Sequence, residues 1–322
     1  MSNRTALERF VYDDFGYASS PAAAISTRIR GYLNDRHRRL LTLPGTEICR
    51  RETGPSVTLV ANQAIYALDM PIQKVLSIRD TTNDQRLVQR DLDWYRRVDP
   101  DPQSGTQEYW IPMRWGPALR DIGGTGLWVA SSSASDTDVN VSVETIDTNG
   151  SVTTVTANTD GVTRVAIGAA TNHQRLLRFN ADAAAVGVLS LFDAAAAGNT
   201  VSKILLGRTQ AQFLEIALWP TPAAADTIVV DYVHYIRDFT VAYDEPQLPT
   251  DFHYLVALGA KIDEANKKDD KARVQQWMGE WETGKRLLIN FLNNHAETII
   301  VPGELDDTGR SNLGAAFPAG MW

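Results

Sequence analysis

Hydrophobic residues recur along this chain in patterns whose period changes block by block. Leu7, Phe10 and Val11 mark a short amphipathic stretch, and a loose Gly-Tyr-Ala-Ser-Ser segment follows. Ser20-Pro21 then offers a hydroxyl cap with proline at the first helical position. Beyond it Ile25, Ile29, Tyr32, Leu33 and Leu40 recur at helical spacing, which predicts a helix ending at Leu43-Pro44-Gly45. From residue 55 the period shortens. Residues 56–60, 65–68 and 75–78 are runs rich in β-branched and aromatic side chains divided by turn residues, so antiparallel strands are predicted. A short helix is expected around Leu92, Trp94 and Tyr95, closed by Asp99-Pro100-Asp101-Pro102.

Residues 125–206 have another character. They hold 11 charged residues in 82 positions, against 59 in the other 240, and are rich in Ser, Thr, Ala and Val. Val139, Val141 and Val143 alternate with polar residues, Asn149-Gly150 is a strong hairpin turn, and residues 188–192 supply another strand. About seven short strands in such a span predict a small β-sandwich of immunoglobulin-like type. The Cys–Trp–Cys core of true immunoglobulin domains is missing, so the likeness is architectural. Residues 213–220 and 227–233 then read as closing strands of the first β-region. The sandwich is therefore expected as an insertion, entered near the hinge Gly123-Gly124-Thr125-Gly126.

The last third is helical. Pro249-Thr250-Asp251 opens a helix with Phe252, Leu255, Val256, Gly259 and Ile262 on one stripe, and a charged turn at 267–271 leads to a second with Val274, Trp277, Trp281, Leu288 and Leu292. So short a turn predicts an antiparallel hairpin, with Trp277 and Trp281 in its core and Gly259-Ala260 allowing close helix approach. Residues 296–322 show no lasting period, yet carry Ile299, Ile300, Val301, Phe317 and Trp322, residues in which disordered tails are poor. They predict an arm that docks. The expected fold is α+β: a helical framework and antiparallel strands in a discontinuous core (1–124 and 207–295), an inserted sandwich (125–206) and an extended docking arm (296–322).

Composition narrows the classes. Thirty-one basic against 39 acidic residues give a net charge of −8, unlike a protein that grips duplex DNA through a dominant basic face. No apolar run reaches the ~18 residues of a membrane span, and no secretory leader is expected. One cysteine, Cys49, excludes an internal disulfide framework and Cys-based zinc sites.

The chemistry-bearing patterns are thin. The five histidines lack metal-ligand spacing. Asp136-x-Asp138-x-Asn140 starts like a calcium loop, but Val141 stands where glycine is needed and Asp147 where glutamate is. Glu280 and Glu282 flank Trp281, but i and i+2 on a helix face apart. No catalytic residue, cofactor site or metal site is expected. The dense basic cluster Arg36-His37-Arg38-Arg39 divides evenly between a solvated helix face and a surface, through Arg36, Arg38 and Arg39, that contacts DNA or an acidic partner.

The order of parts resembles the head–tail adaptor (connector, head-completion) proteins of tailed bacteriophages. The resembling stretches are Ile29-Arg30-Gly31-Tyr32-Leu33-Asn34, then Asn62-Gln63-Ala64-Ile65-Tyr66-Ala67-Leu68 before Met70-Pro71, then Ala217-Leu218-Trp219-Pro220-Thr221-Pro222 with Val230-Asp231-Tyr232, and last the helix pair from Leu248 to about His295. The resemblance implies a virion protein, assembled in the host cytoplasm, that forms a dodecameric ring beneath the portal. Helical parts would surround a channel through which double-stranded DNA passes, and the C-terminal arm would reach the portal. Its partners would be portal protein, tail or nozzle proteins, fibres and further copies of itself, with no membrane. The chain alone is expected to be mostly monomeric. A tail-associated module for fibre attachment or carbohydrate binding through the sandwich is the alternative; it needs exposed aromatics among Trp128, Phe179 and Phe192. A hydrolase using Glu280 or Glu282 ranks last.

Overall fold

The computed structural model describes residues 3–98, 103–120, 122, 126–167, 173–196 and 198–296. It is a mixed α+β protein with five α-helices and a curled, mostly antiparallel sheet among the described residues. Helix α1 (Arg4–Phe15) opens on Asn3, whose side chain accepts the Ala6 N–H at 3.0 Å, and closes on Gly16 at φ 66°. Helix α2 (Ala23–Leu41) starts later than Ser20-Pro21 predicts. Ala22 caps it without a side-chain bond. Burial of Ile29, Leu33 and Leu40, each fully covered, holds the helix in place of a cap.

A 3₁₀ turn (Thr46–Arg50) leads into β1 (Arg51–Thr53), β2 (Val57–Thr58), β3 (Ile65–Leu68), β4 (Ile72–Asp80) and β5 (Gln85–Gln89), then α3 (Leu92–Val98), β6 (Ser104–Gly105) and β7 (Tyr109–Gly116). The strand expected over 56–60 is only two residues long, because the Tyr66 hydroxyl takes over the backbone of Val60. It accepts the Val60 N–H and donates to the Val60 carbonyl, each at 3.0 Å. The sequence pattern did not predict β7, where Pro112 interrupts a strand-like run.

Seven strands follow: β8 (Trp128–Ser131), β9 (Thr137–Asp147), β10 (Val152–Asp160), β11 (Val165–Ala166), β12 (His173–Ala181), β13 (Leu189–Phe192) and β14 (Thr200–Ile204). Among the described residues these strands form two sheets with one another, a three-stranded sheet ordered β10-β9-β12 and a four-stranded sheet ordered β11-β8-β13-β14, and β12 adds one bridge from Asn180 to Gln210. Between the sheets lies a core with Val141, Val143, Phe179, Leu189 and Leu191 fully buried. Strand β12 escapes the alternation rule because two register shifts, at 173/175 and 176/178, break its period.

The chain then returns as β15 (Phe213–Trp219), β16 (Thr221–Pro222) and β17 (Thr227–His234). The large sheet runs β1-β17-β4-β5-β7-β15-β3, with β2 also on β17, and β5–β7 is its one parallel pair. Strands from both ends share one core, Tyr66 and Leu68 of β3 with Val230 and Tyr232 of β17, so the sheet curls around its own apolar face. Strand β15 lies directly beside β7, Phe213 opposite Gly116, although β8 to β14 all intervene in sequence.

Helix α4 (His253–Lys267) and helix α5 (Lys271–Ala296) complete the chain. The single apolar stripe expected of α4 is an underestimate. Every residue from Leu255 to Ile262 is buried, because α1, α2 and α5 all pack on this helix. The hinge at 123–125 and the turn at 99–102 lie outside the described residues.

Candidate functional site

The densest constellation of polar side chains lies inside the helical layer, on α4. Glu264 is buried and accepts Arg28 Nε at 2.9 Å, Arg28 Nη2 at 2.8 Å and the Tyr17 hydroxyl at 2.5 Å. Burial alone would raise this carboxyl, but the hydrogen bonds from Arg28 and Tyr17 outweigh it and hold it below the usual glutamate range. One residue earlier, Asp263 takes both arms of the Arg36 fork, Nε at 2.7 Å. The same guanidinium lies 4.9 Å from the Trp281 ring centroid, on α5. Lys261 is 4% exposed, pairs with Asp14 of α1 and sits 3.2 Å from the Phe10 ring centroid. These groups spend their bonding capacity on each other, so α4 is tied to α1, α2 and α5 in one geometry.

Beside this seam, His37 is fully buried. Its Nε2 accepts the Gln247 N–H at 2.9 Å, and its ring stacks on Phe239 at 4.7 Å between centroids. Burial holds the imidazole neutral, with its pKa lowered to about 3. The basic cluster of α2 is therefore split. Arg36 is buried and committed to Asp263, while Arg38 and Arg39 keep 58% and 61% of their side chains exposed and pair with Asp238 and Asp35. Arg38 and Arg39 form its surface.

Gly259, Trp277 and Trp281 come together around the seam. Trp281 is 8% exposed and Trp277 half-buried against Phe15, at 5.7 Å between rings. Gly259 faces α2: a Cβ there would stand 2.7 Å from Arg36 Cδ and 2.8 Å from its Cγ. Ile299, Ile300, Val301, Phe317 and Trp322 lie outside the described residues. Glu280 and Glu282 are exposed on α5, and Glu282 pairs with Lys285 at 2.7 Å. Asp136 is a structural residue. Its carboxylate accepts the N–H groups of Val186 and Gly187 at 2.7 and 2.8 Å and the Ser131 hydroxyl at 2.5 Å. Phe179 is fully buried, and Phe192 lies under the Arg164 guanidinium, 3.7 Å from its centroid.

Two features escape the sequence reading. Trp94, Tyr109 and Trp219 form a half-buried aromatic cluster with centroids 4.9 to 5.7 Å apart, and Arg90 lies over Trp94 and Tyr109. The spacing of Arg90 and Trp94 (i, i+4) was the available signal; their meeting with Trp219 is a product of the fold. The acids Asp263 and Glu264 were likewise unremarkable until α2 brought Arg28 and Arg36 to them.

Among the described residues no group of three or more His, Cys, Asp or Glu side chains is placed to hold a metal ion, and no helix is long and apolar enough to cross a membrane. The outer face of the helical layer is mostly polar but exposes Tyr254, Met278 and Leu287. Fold and site together define a class: a mixed α+β protein whose helical layer is riveted by charge pairs. Compared with known proteins, the chain matches no family model and no curated protein.

Proposed function

We propose that this chain is a head–tail adaptor: a structural virion protein that forms a ring beneath a phage portal, joins head to tail and leaves a channel for DNA. The observation that carries the reading is the nesting of its parts. Strands β7 and β15 are immediate neighbours, while among the described residues the seven strands between them form two sheets of their own. In this reading β8 to β14 are an immunoglobulin-like insertion in a discontinuous core, and α4 with α5 is the antiparallel hairpin that presents a rigid face to neighbouring subunits. The charge seam on α4 supports that role, since a ring subunit must keep its interface geometry under load. Arg38 and Arg39 would meet an acidic surface or DNA, and residues 296–322 would dock on the portal or on a neighbouring subunit through Ile299, Ile300, Val301, Phe317 and Trp322.

The test mixes the full chain with the portal protein of its source phage and follows mass and negative-stain images. Rings that form with portal, and do not form when residues 296–322 are deleted, are expected. A chain that stays monomeric and indifferent to portal overturns the adaptor reading and returns attention to a tail-associated binding module.

A further inference from the structure

One strand edge of the seven-stranded unit lacks the features that guard the other edges of the protein. Strand β10 ends the three-stranded sheet and pairs with β9 in unbroken register from Val152 to Asn158. Among the described residues no hydrogen bond joins the backbone of residues 152–158 to anything but β9. Residues 151–159 hold no charge, proline or glycine, and Val and Thr fill six of the nine positions, a strand-prone composition. An edge of this kind is a template for another strand unless it is short, charged or bulged. The other terminal strands meet that condition. Strands β1, β3, β6, β11 and β16 have four residues or fewer. Strand β14 carries Lys203, and β12 carries Arg175 and Arg178 with two register shifts. Along β10 the sides alternate: Val155 and Ala157 pack on the core between the sheets, while Val152, Thr154, Thr156 and Asn158 are exposed.

We infer that this edge pairs with the same edge of a second copy of the chain, antiparallel and centred on Val155, by β-strand addition. The strand is complementary to itself in that register. Val155 meets Val155, Thr153 meets Ala157, Thr154 meets Thr156 and Val152 meets Asn158 of the second copy, so each face continues across the contact. Thr–Thr neighbours of this kind are favourable, and like charges directly opposite are not. The flanking acids avoid each other, because Asp160 falls opposite Gly150 and Asp147 opposite Thr163. A slip of one residue would set core-side residues against exposed ones. Two arguments select a second copy over a foreign peptide. The uncharged edge gives a charged strand nothing to pair with, and β10 of another copy is already held extended by β9, so no loose chain has to be ordered. Donor and acceptor are one surface, so the contact is isologous and forms a two-fold pair, not a ring. It goes beyond the adaptor reading and does not rest on it.

The experiment uses the full chain without portal. Sedimentation from micromolar concentration to about 1 mM, the range of weak specific association, is expected to show a monomer passing into a dimer. Thr154→Lys combined with Thr156→Lys sets like charges directly opposite at two places and should weaken the dimer about tenfold. Glu144 stands opposite Thr154 on β9 and gives the new lysine a partner within the folded monomer. Register is read by oxidation in a Cys49→Ala background, mixing a tagged chain carrying Thr154→Cys with one carrying Thr156→Cys. Directly opposite positions lie within disulfide reach, whereas 154 and 154 of the second copy are diagonal at ~7–8 Å and out of reach. A mixed disulfide about tenfold above that of either chain alone is expected. Melting curves of each variant confirm folding. Three outcomes overturn the inference: a monomer at every concentration, a dimer that the two lysines leave unchanged, or a mixed disulfide no more abundant than the self-linked ones.

Discussion

Gly259 of α4 and Arg36 of α2 are in contact across the helical layer, and the missing side chain of one is the space taken by the other. A Cβ at 259 would lie 2.7 Å from Arg36 Cδ. Arg36 cannot swing aside without giving up Asp263 and Trp281. Alanine is the better helix former by about 1 kcal/mol, but overpacking costs about 1–3 kcal/mol. We therefore expect Gly259→Ala to destabilise the protein by about 1 kcal/mol net. Gly279→Ala, with open space around it on α5, should stabilise by up to about 1 kcal/mol. Urea unfolding of both variants decides. A stabilising Gly259→Ala would mean that Arg36 relaxes freely.

Glu264→Gln removes the charge that Arg28 and Tyr17 converge on. Its expected cost at pH 7 is about 2 kcal/mol, the order of charge-assisted hydrogen bonds lost in a buried site. Because the folded carboxyl is held below its usual 4.5, its contribution is present above that pH and lost as pH falls through the lower folded value. The wild type should thus lose more stability than the variant between pH 5 and 3. Equal losses in paired thermal melts would remove Glu264 from the account.

His37 acts over a higher pH window. The unfolded chain takes up this proton near pH 6.5, while the folded chain resists it until about 3. Stability therefore falls as pH drops from 6.5 towards 3. His37→Gln, whose amide oxygen can accept the Gln247 N–H in place of Nε2, should flatten the melting temperature between pH 6.5 and 4.5. It should also cost about 1 kcal/mol at neutral pH through lost stacking on Phe239. An unchanged slope would assign that limb to His234 or His173, which burial also holds low.

Replacing residues 117–211 with a short glycine–serine linker should leave a folded, cooperatively melting core. Gly116 and Phe213 already face each other, so a hairpin turn can join β7 to β15. The core should melt lower than the full chain, since Phe213 is buried in the core of the seven-stranded unit and Ala67 packs against it. Calorimetry reads this directly. An unfolded product would show that the β7–β15 pairing depends on the strands between them.

Local periodicity was legible in the sequence wherever one side of an element is buried. The helical spacing of Ile29, Leu33 and Leu40 survives in α2, the alternation of Val139, Val141 and Val143 in β9, and the Asn149-Gly150 turn in the hairpin to β10, with Gly150 at φ 81°. The strand patterns read over residues 213–220 and 227–233 likewise survive in β15 and β17. Strands β7 and β12 were hidden, one by a proline and the other by register shifts that break the period.

The meaning of the charged residues came only with the tertiary structure. Arg36, Arg38 and Arg39 are alike in sequence, yet one is buried against Asp263 and two face solvent. Arg36 lies 227 residues from its partner, and no local pattern encodes such a distance. A hydrophobic stripe is a property of one element and can be read one residue at a time. An ion pair or a glycine contact is a property of two elements, and exists only once packing has brought them together.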